Sequence, residues 1–368
     1  MAKVLLGMSG GLDSSVAAAL LVEEGHDVIG MTIKTYKYED VGGNIGRDTS
    51  CCSLDGINDA RRVAAKLGFP HYVTDMTEEF GREVIGYFIG TYLAGETPNP
   101  CVKCNREIKW AAMLRKADAL GCEFIATGHY ARLRREPVAP ETGEYRMIIS
   151  RAADSVKDQS YALWAIRPEH LKRTMFPLQN YTKAEARQIA EKHGLGLAKK
   201  SESYEICFVT DNDYRRFLRE TVEDIAEVAQ PGDFVLNGET VGQHDGVPFY
   251  TIGQRKGLGL SIPSHPEPLY VTGLDVLNHR VLLGDDHDLF ASELTAHSVN
   301  LIKYDSLEDA MRVTAKIRYK DEGAMATISP LEGNRIRAVF NEVRRAITPG
   351  QSVVFYEGDD LLGGGIIE

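Results

Sequence analysis

The chain contains no apolar run approaching the roughly 20 residues that a membrane-spanning helix needs, which excludes an integral helical membrane protein. It does not open on a basic stretch followed by an apolar core and a cleavage site, nor on an Arg-rich, acid-poor leader. Targeting signals are therefore not expected, and a cytoplasmic location is. Positive charge is in deficit: 42 Lys and Arg stand against 53 Asp and Glu, a net charge of −11. Binding of nucleic acid through overall charge is thereby disfavoured, because phosphate contacts need cations. Local clusters at Arg132 to Arg135, Lys199–Lys200, Arg215–Arg216, Lys316 to Lys320 and Arg344–Arg345 still leave room for a basic track on an acidic body. Cysteine is sparse, six in 368 residues. In a reducing compartment such residues are buried, metal-bound or catalytic rather than paired as staples. No internal repeat or low-complexity tract is evident.

What remains is ordinary globular material, 43% hydrophobic and 26% charged, long enough for two or three domains. Over the first 130 residues short apolar runs alternate with helical patterns. Val4–Met8, Val28–Thr32, His71–Thr74 and Phe124–Thr127 read as strands; Ser14–Glu24, Leu54–Leu67, Glu78–Leu93 and Ile108–Leu120 read as helices. The alternation predicts an α/β domain with a parallel sheet, whose ligands bind at the carboxyl ends of strands. Gly7–Ser15, Ile33 and Thr127–Gly128–His129 all fall at such ends. A hairpin-like segment follows from Ala131 to Ser150, and Thr182 to Glu185 forms a capping box opening a helix to about His193. From Gly232 onward short alternating strands punctuated by Gly, Pro and Asn predict one or two small β-barrels. The expected strands there are Asp233–Leu236, Leu269–Leu274, Val281–Gly284, Met311–Ile317, Arg337–Phe340 and Ser352–Tyr356.

The segment Gly7-Met8-Ser9-Gly10-Gly11-Leu12-Asp13-Ser14-Ser15 sits where the first strand gives way to the first helix. Gly10 and Gly11 let backbone N–H groups approach a phosphate, and the three serines add hydroxyl donors. The helix behind them turns its positive end toward an anion. Asp13 suits such a nest only if a cation such as Mg²⁺ bridges it to the phosphates. A Walker loop is excluded, since no Gly-Lys-Ser/Thr follows the glycines. A plain helix-capping turn is the competing reading, and nine fitting positions weigh against it.

Cys101 and Cys104 form a Cys-x-x-Cys within Thr97-Pro98-Asn99-Pro100-Cys101-Val102-Lys103-Cys104-Asn105. With a helix expected from Ile108, Cys104 lies near a helix N-terminus, where a thiol's pKa falls. Three readings compete. A zinc site needs two more ligands, with Cys51 and Cys52 as poorly spaced candidates. A thioredoxin-type pair lacks its usual setting. Sulfur chemistry needs a distant partner, for which Cys207 is available, although a lone cysteine there is more often core. Cys122 is assigned to the core.

Ser9 to Ser15 resembles the PP-loop, SGGxDSS, of the N-type ATP pyrophosphatases, which split ATP into AMP and pyrophosphate. TPNPCVKCN, ATGHYAR, KDQSY, SYEICF, TIGQRKGLGL and KIRY…TPGQSVVFY come after it in order, and together they resemble the tRNA-specific 2-thiouridylase family from about residue 4 to residue 356. The resemblance implies a PP-loop ATP pyrophosphatase domain over 1–210, a small central β-rich domain over 211–285 and a tRNA-contacting C-terminal β-barrel over 286–368. It implies ATP and Mg²⁺ as cofactors, tRNA as substrate, and a sulfur-relay or cysteine desulfurase protein as sulfur donor. The reaction implied is 2-thiolation of the wobble uridine of Lys, Glu and Gln tRNAs. By the same resemblance Cys207 carries a persulfide and Cys104 is its partner. Gly7, Met8, Ser9, Gly10, Gly11, Leu12, Asp13, Ser14, Ile33 and Gly128 match ATP contacts. Asn99, Pro100 and Cys101 match the loop that meets the target base; His129, Lys157, Asp158, Gln159, Arg318, Tyr319 and Gln351 match tRNA contacts. In one departure Cys101 stands where many members have aspartate, which removes a candidate acid/base group. It also brings Cys101, Cys104 and Cys207 forward as ligands of an iron–sulfur cluster that would deliver the sulfur instead. A PP-loop ligase with no sulfur chemistry, and a zinc-containing RNA-binding protein, are the readings from other classes.

Overall fold

The computed structural model describes residues 1–36, 54–139, 141–197, 206–209, 211–260, 265 and 267–368. Cys51, Cys52, Lys199, Lys200 and Ser201 to Glu205 lie outside the described residues. The chain begins with four short strands, β1 (Lys3–Gly7), β2 (Asp27–Lys34), β3 (His71–Asp75) and β4 (Phe124–Ala126). A hairpin of β5 (Arg132–Ala139) and β6 (Glu144–Ser150) comes next, and then β7 (Thr174–Met175). Strands β3-β2-β1-β4-β7 pair in that order, and every pairing is parallel. Val4, Leu5 and Leu6 are fully buried, as an uninterrupted apolar run in a central parallel strand should be. Their alternation divides two layers. Val4, Leu6 and Val28 pack with α1 (Leu12–Glu23), with Ala60 and Val63 of α2 (Leu54–Leu67), and with Ala186 and Ala190 of the helix Lys183–Lys192. Leu5, Ile29 and Ile125 pack instead against Val102, Trp110, Met113 and Ala117.

Those last four residues belong to a helical stretch over 100–120, which starts at Pro100 and runs in wide, π-type turns from Cys104 to Ala112. The start is eight residues earlier than the Ile108 expected from the sequence. Pro100 occupies the first turn, where a missing N–H costs nothing and its fixed φ suits a helix. Residues 100–107 are thus the beginning of the helix, so Cys101 lies in its first turn and Cys104 one turn further along. None of the described helices is long and apolar enough to cross a membrane.

A second sheet contains β8 (Gly232–Leu236), β9 (Glu239–His244), β10 (Tyr270–Asp275) and β11 (Arg280–Gly284) in the order β10-β11-β8-β9. The last third supplies β12 (Phe290–Leu301), β13 (Met311–Lys316), β14 (Ala324–Leu331), β15 (Arg335–Arg345), β16 (Ser352–Glu357) and β17 (Asp360–Ile367). These six run in the order β12-β15-β14-β13-β16-β17, and a β12–β17 pairing closes them into a barrel. Leu294, Val313, Ile328, Ile336, Phe340, Val353 and Phe355 fill its interior. The fold is thus the expected α/β parallel-sheet domain followed by small β domains. The sequence does not anticipate that the hairpin β5–β6 leaves the first domain and adds to the barrel edge through Ser150 opposite Asp360.

Asp360 fixes that junction. Its carboxylate accepts from Arg134 Nε at 3.0 Å, Ser150 Oγ at 2.8 Å and Lys303 Nζ at 2.8 Å. The Arg134 bond foremost, with help from Lys303 and Ser150, holds its carboxyl far below the ordinary carboxylate range. A depressed folded-state pKa contributes stability above the unfolded value near 4 and loses it as pH falls toward the folded one. Asp360→Asn is therefore expected to lower the unfolding free energy at pH 7 by about 2–4 kcal/mol, since Arg134 and Lys303 lose their shared counter-charge. In urea titrations the gap between variant and wild type should narrow below about pH 4; a gap independent of pH would remove the electrostatic account.

Candidate active site

The sheet order places β1 between β2 and β4, so the chain turns to opposite sides on leaving β1 and β4. A crevice at the carboxyl ends of two such neighbouring strands is where open α/β sheets bind ligands. Gly7–Ser15 leaves β1 and Thr127–His129 leaves β4, and the two segments touch. A Cβ on Gly128 would lie 2.7 Å from the Ser14 nitrogen and 2.8 Å from the Asp13 carbonyl carbon. Only glycine lets that backbone press onto the first turn of α1. Gly10 has φ +71°, and a side chain there would strike the Gly56 carbonyl oxygen of α2. The hydroxyls of the loop hold its shape: Ser14 Oγ accepts from Ser9 N at 3.2 Å, and Ser15 Oγ donates to Gly11 O at 2.8 Å. Gly11 caps α1 without a side-chain bond, which leaves a helix end of the kind that receives anions.

Asp13 has a cation of its own. Lys183 Nζ donates to its two carboxylate oxygens at 2.7 and 2.9 Å, and Tyr130 Oη donates to Oδ1 at 2.8 Å. The Lys183 side chain is only 7% exposed. The expectation that Mg²⁺ bridges Asp13 to phosphates meets a carboxylate already engaged by a lysine, which does not fit a metal ligand. The sequence marks Lys183 only as part of a capping box. That box is present, with Thr182 and Glu185 bonded reciprocally, and it sets the first helical residue, Lys183, against the loop. Asp154 Oδ2 also accepts from the Lys183 backbone N–H at 3.0 Å. An ion pair across such sequence distance has no local signal.

The KDQSY segment braces this arrangement. Gln159 grips Tyr130 on both sides, Oε1 accepting from the Tyr130 N–H and the Gln159 N–H donating to the Tyr130 carbonyl, each at 2.9 Å. Asp158 accepts from the backbone N–H groups of Ala152 and Ser160 and from Ser160 Oγ. Ser160 Oγ meets Tyr356 Oη at 3.0 Å, and Tyr161 Oη donates to Ser352 O at 2.8 Å, both in the barrel. Tyr319 Oη donates to the Asp158 carbonyl, and Arg318 donates to the Arg345 carbonyl. His129 Nδ1 lies 2.8 Å from Thr127 Oγ1, with its ring beside Trp110 and Phe176. Burial first, and Lys109 second, push its pKa well below the usual value, so at neutral pH it offers hydrogen bonds and a ring face rather than charge.

The two distant cysteines border one large apolar cluster. Cys104 and Cys207 both pack, half-buried, against one apolar cluster that contains Phe80, Phe88, Ile108, Phe208 and Phe217, with Ile33 at the end of β2 on the same wall. Phe208 is the anchor, with ring contacts to Phe80, Phe88 and Phe217 at 5.7, 5.1 and 5.4 Å. Cys101 is exposed, and Cys122 is buried as expected. The segment before Cys101 is tied to the barrel: Gln351 Nε2 donates to the Thr97 and Pro98 carbonyls at 3.1 and 3.0 Å, and the Thr97 N–H donates to Pro349 O at 2.8 Å. Asn99 N donates to Tyr87 Oη at 3.5 Å, and Pro100 is buried. Lys157 is part-buried beside the Asp154 turn. Among the described residues, the three metal-ligating groups whose atoms lie within 4.8 Å of one another are Asp285, His287 and Asp288, at the surface before β12. Cys101, Cys104 and Cys207 do not gather within that distance, so as placed they do not fit a shared iron–sulfur cluster.

If Lys183 neutralises Asp13, Lys183→Met should destabilise the protein by about 3 kcal/mol in urea unfolding, because a carboxylate is left uncompensated. Adding Asp13→Asn should recover part of that loss, with a coupling of at least about 1 kcal/mol. Additive effects of the two changes would show that the pair does not act as a unit.

Residues 2–211 match the family model described as tRNA methyl transferase HUP domain. Residues 217–285 match the tRNA methyl transferase PRC-barrel domain, and residues 291–367 the Aminomethyltransferase beta-barrel domain. Along its length the chain is 49% identical over 367 residues to the tRNA-specific 2-thiouridylase MnmA of Salinibacter ruber, covering 99% of this chain and 94% of that protein. It is 50% identical over 369 residues to the protein of that name from Amoebophilus asiaticus, covering 100% and 95%. To that from Moorella thermoacetica it is 50% identical over 365 residues, covering 99% of each. With relatives of this similarity over the full length, the chain belongs to the tRNA-specific 2-thiouridylase family.

Proposed function

We propose that this chain is an ATP-dependent tRNA sulfurtransferase that replaces O2 of the wobble uridine with sulfur in tRNAs of the Lys, Glu and Gln type. The observation that supports this reading is that Cys104, Cys207 and Ile33, the last at the carboxyl end of β2, all border one apolar cluster. The matched domain descriptions speak of methyl transfer. The full-length relatives are named for thiolation, and two part-buried thiols bordering one apolar cluster suit the latter.

The uracil C2 oxygen is a poor leaving group, and adenylation makes it a good one. The loop Gly7 to Ser14 holds the phosphates of ATP, with Ile33 and Gly128 against adenosine, while O2 attacks the α-phosphorus and pyrophosphate departs. Asn99, Pro100 and Cys101 face the base. The terminal sulfur of a Cys207 persulfide then attacks C2, and AMP leaves. This forms a Cys207–S–S–C2 adduct. The Cys104 thiolate attacks the Cys207 sulfur and breaks the S–S bond, releasing 2-thiouridine and leaving a Cys104–Cys207 disulfide. Closing it requires the two Cα atoms within about 4.4–6.8 Å. A thiol reductant restores the pair, and a sulfur-relay or desulfurase protein reloads Cys207. His129, Lys157, Asp158, Gln159, Arg318, Tyr319 and Gln351 lie on the tRNA side of this scheme; Asp158, Gln159 and Gln351 contribute by holding backbone.

The test incubates the protein with ATP, a persulfide source and unmodified tRNA, followed by nucleoside mass analysis. Wild type should form 2-thiouridine, and Cys104→Ser and Cys207→Ser should each lower it at least 100-fold, while Cys207→Ser still releases pyrophosphate in the presence of tRNA. Product from both variants at the wild-type rate would refute the sulfur assignment. Full activity in a ligation assay without thiolation would indicate a non-sulfur ligase, and stoichiometric zinc without pyrophosphate release a binding protein.

A further inference from the structure

The segment Thr251 to Leu260, TIGQRKGLGL, takes no part in the chemistry above, yet its structure is specified in detail. Gln254 Oε1 accepts from the Thr251 N–H at 3.3 Å, and Gln254 Nε2 donates to the Lys256 carbonyl at 3.0 Å, so one side chain spans the turn. Backbone bonds from Gly253 N to Val271 O, and from Val271 N to Gln254 O, stitch it to β10 at 2.8 and 3.0 Å. Gly253 and Gly257 have φ of +84° and +74°, values that disfavour side chains. At the tip of this fixed loop stand Arg255 and Lys256, both exposed. Among the described residues neither side chain has a hydrogen bond or an ion pair, in a chain whose net charge is −11. Other exposed arginines, such as Arg335 with Glu368 and Arg337 with Glu293, have an acidic partner.

Position adds direction to this. A Cβ on Gly257 would lie 3.6 Å from Arg215 Nη1, and one on Gly253 would lie 3.0 Å from Ala346 Cβ. Ala346 follows Arg345, whose carbonyl receives Arg318, and it leads within five residues to Gln351, which bonds Thr97 and Pro98 ahead of Cys101. The loop that carries Arg255 and Lys256 therefore touches, through Gly253 and Ala346, the segment that leads to Gln351 and so to the residues ahead of Cys101. We propose that the Thr251–Leu260 loop is a preformed phosphate-binding platform for the RNA substrate, with Arg255 and Lys256 each meeting a backbone phosphate while the target base lies at Cys101–Cys104. This rests on the functional reading above and names a contact surface that the reading does not contain. Ordering a loop in advance spares binding the cost of fixing it; a backbone-held cation pair fixes register on a nucleic acid without reading sequence.

The experiment measures binding of an unmodified, in vitro transcribed wobble-uridine tRNA between 50 and 400 mM KCl, for wild type and for the Arg255→Ala/Lys256→Ala variant, with no sulfur source present. Two lost phosphate contacts should reduce the magnitude of the log Kd against log salt slope by about 1.4–1.8, and weaken binding about tenfold or more at low salt. Alkylation of Cys104 by iodoacetamide should be unchanged, because the loop does not hold that thiol. A charge-matched control, Arg115→Ala/Lys192→Ala on helices of the first domain, should keep the wild-type slope. Unchanged affinity and slope in the loop variant overturn the platform, as does an equal loss in the control; the loop would then face solvent or an acidic protein. A wild-type protein that binds no tRNA overturns the functional reading and the platform together.

Discussion

A carboxylate in the first turn of a helix that must receive phosphates works against its own loop unless a cation is built in beside it. Here the cation is Lys183, bonded to both oxygens of Asp13. Once the pair is neutral, the N–H groups and the positive helix end act on an anion without a competing negative charge. The pair also sets requirements on its surroundings. Lys183 has to arrive from a fixed direction, which the Thr182–Glu185 box and Asp154 provide. Tyr130 has to present its hydroxyl to Asp13, which the two Gln159 bonds to its backbone enforce. Ser160 and Tyr161, next along the chain, reach into the barrel. A nucleotide loop at residue 13 is thereby connected, bond by bond, to strand β16.

The sheet, the anion loop and the strand ends that surround it are legible because each rests on local pattern: apolar runs, a strand-to-helix junction, adjacent glycines. The helix starting at Pro100 is misplaced by sequence reasoning because two prolines and an asparagine dominate the local signal, and the value of proline in a first turn depends on the residues beyond it. Strand β17 escapes such reasoning because Asp360–Ile367 contains Gly363, Gly364 and Gly365, a composition that argues against a strand. Packing reverses that argument: a Cβ at Gly364 would run into the Trp164 ring, and one at Gly365 into the backbone of β12. Lys183 with Asp13, Gln351 with Thr97, and Asp360 with Arg134 are invisible for one shared reason. Each joins residues more than 100 positions apart, and no periodicity or spacing encodes such a bond.

Several residues matched by resemblance to substrate contacts prove to hold the protein itself. Gln159, Asp158 and Gln351 spend side-chain hydrogen bonds on backbone. In the proposed reaction the two roles are compatible, since a residue that fixes the segment ahead of Cys101 decides where a base would lie to meet the thiols. It follows that the barrel is more than an appended binding module. Through Pro349 and Gln351 it supplies part of the scaffold of the thiol segment, and through Asp360 it receives a hairpin from the first domain. Barrel, hairpin and thiol segment are thereby joined in one bonded assembly.

Charge gives that assembly its direction. A polyanion approaching a body of net charge −11 is repelled over most of the surface, and long-range repulsion selects against unproductive encounters as effectively as local attraction favours productive ones. Answered arginines such as Arg216 and Arg337 present no net attraction. A few unanswered cations on a fixed loop then count for more than their number suggests, because they mark a region of the surface where a phosphate gains on arrival. An evenly basic protein would bind RNA more tightly and in more orientations, most of which would hold the uridine away from Cys104 and Cys207. For the proposed reaction, which needs one base carbon beside two particular sulfurs, an acidic body with a small cationic platform serves the chemistry better than strong binding does.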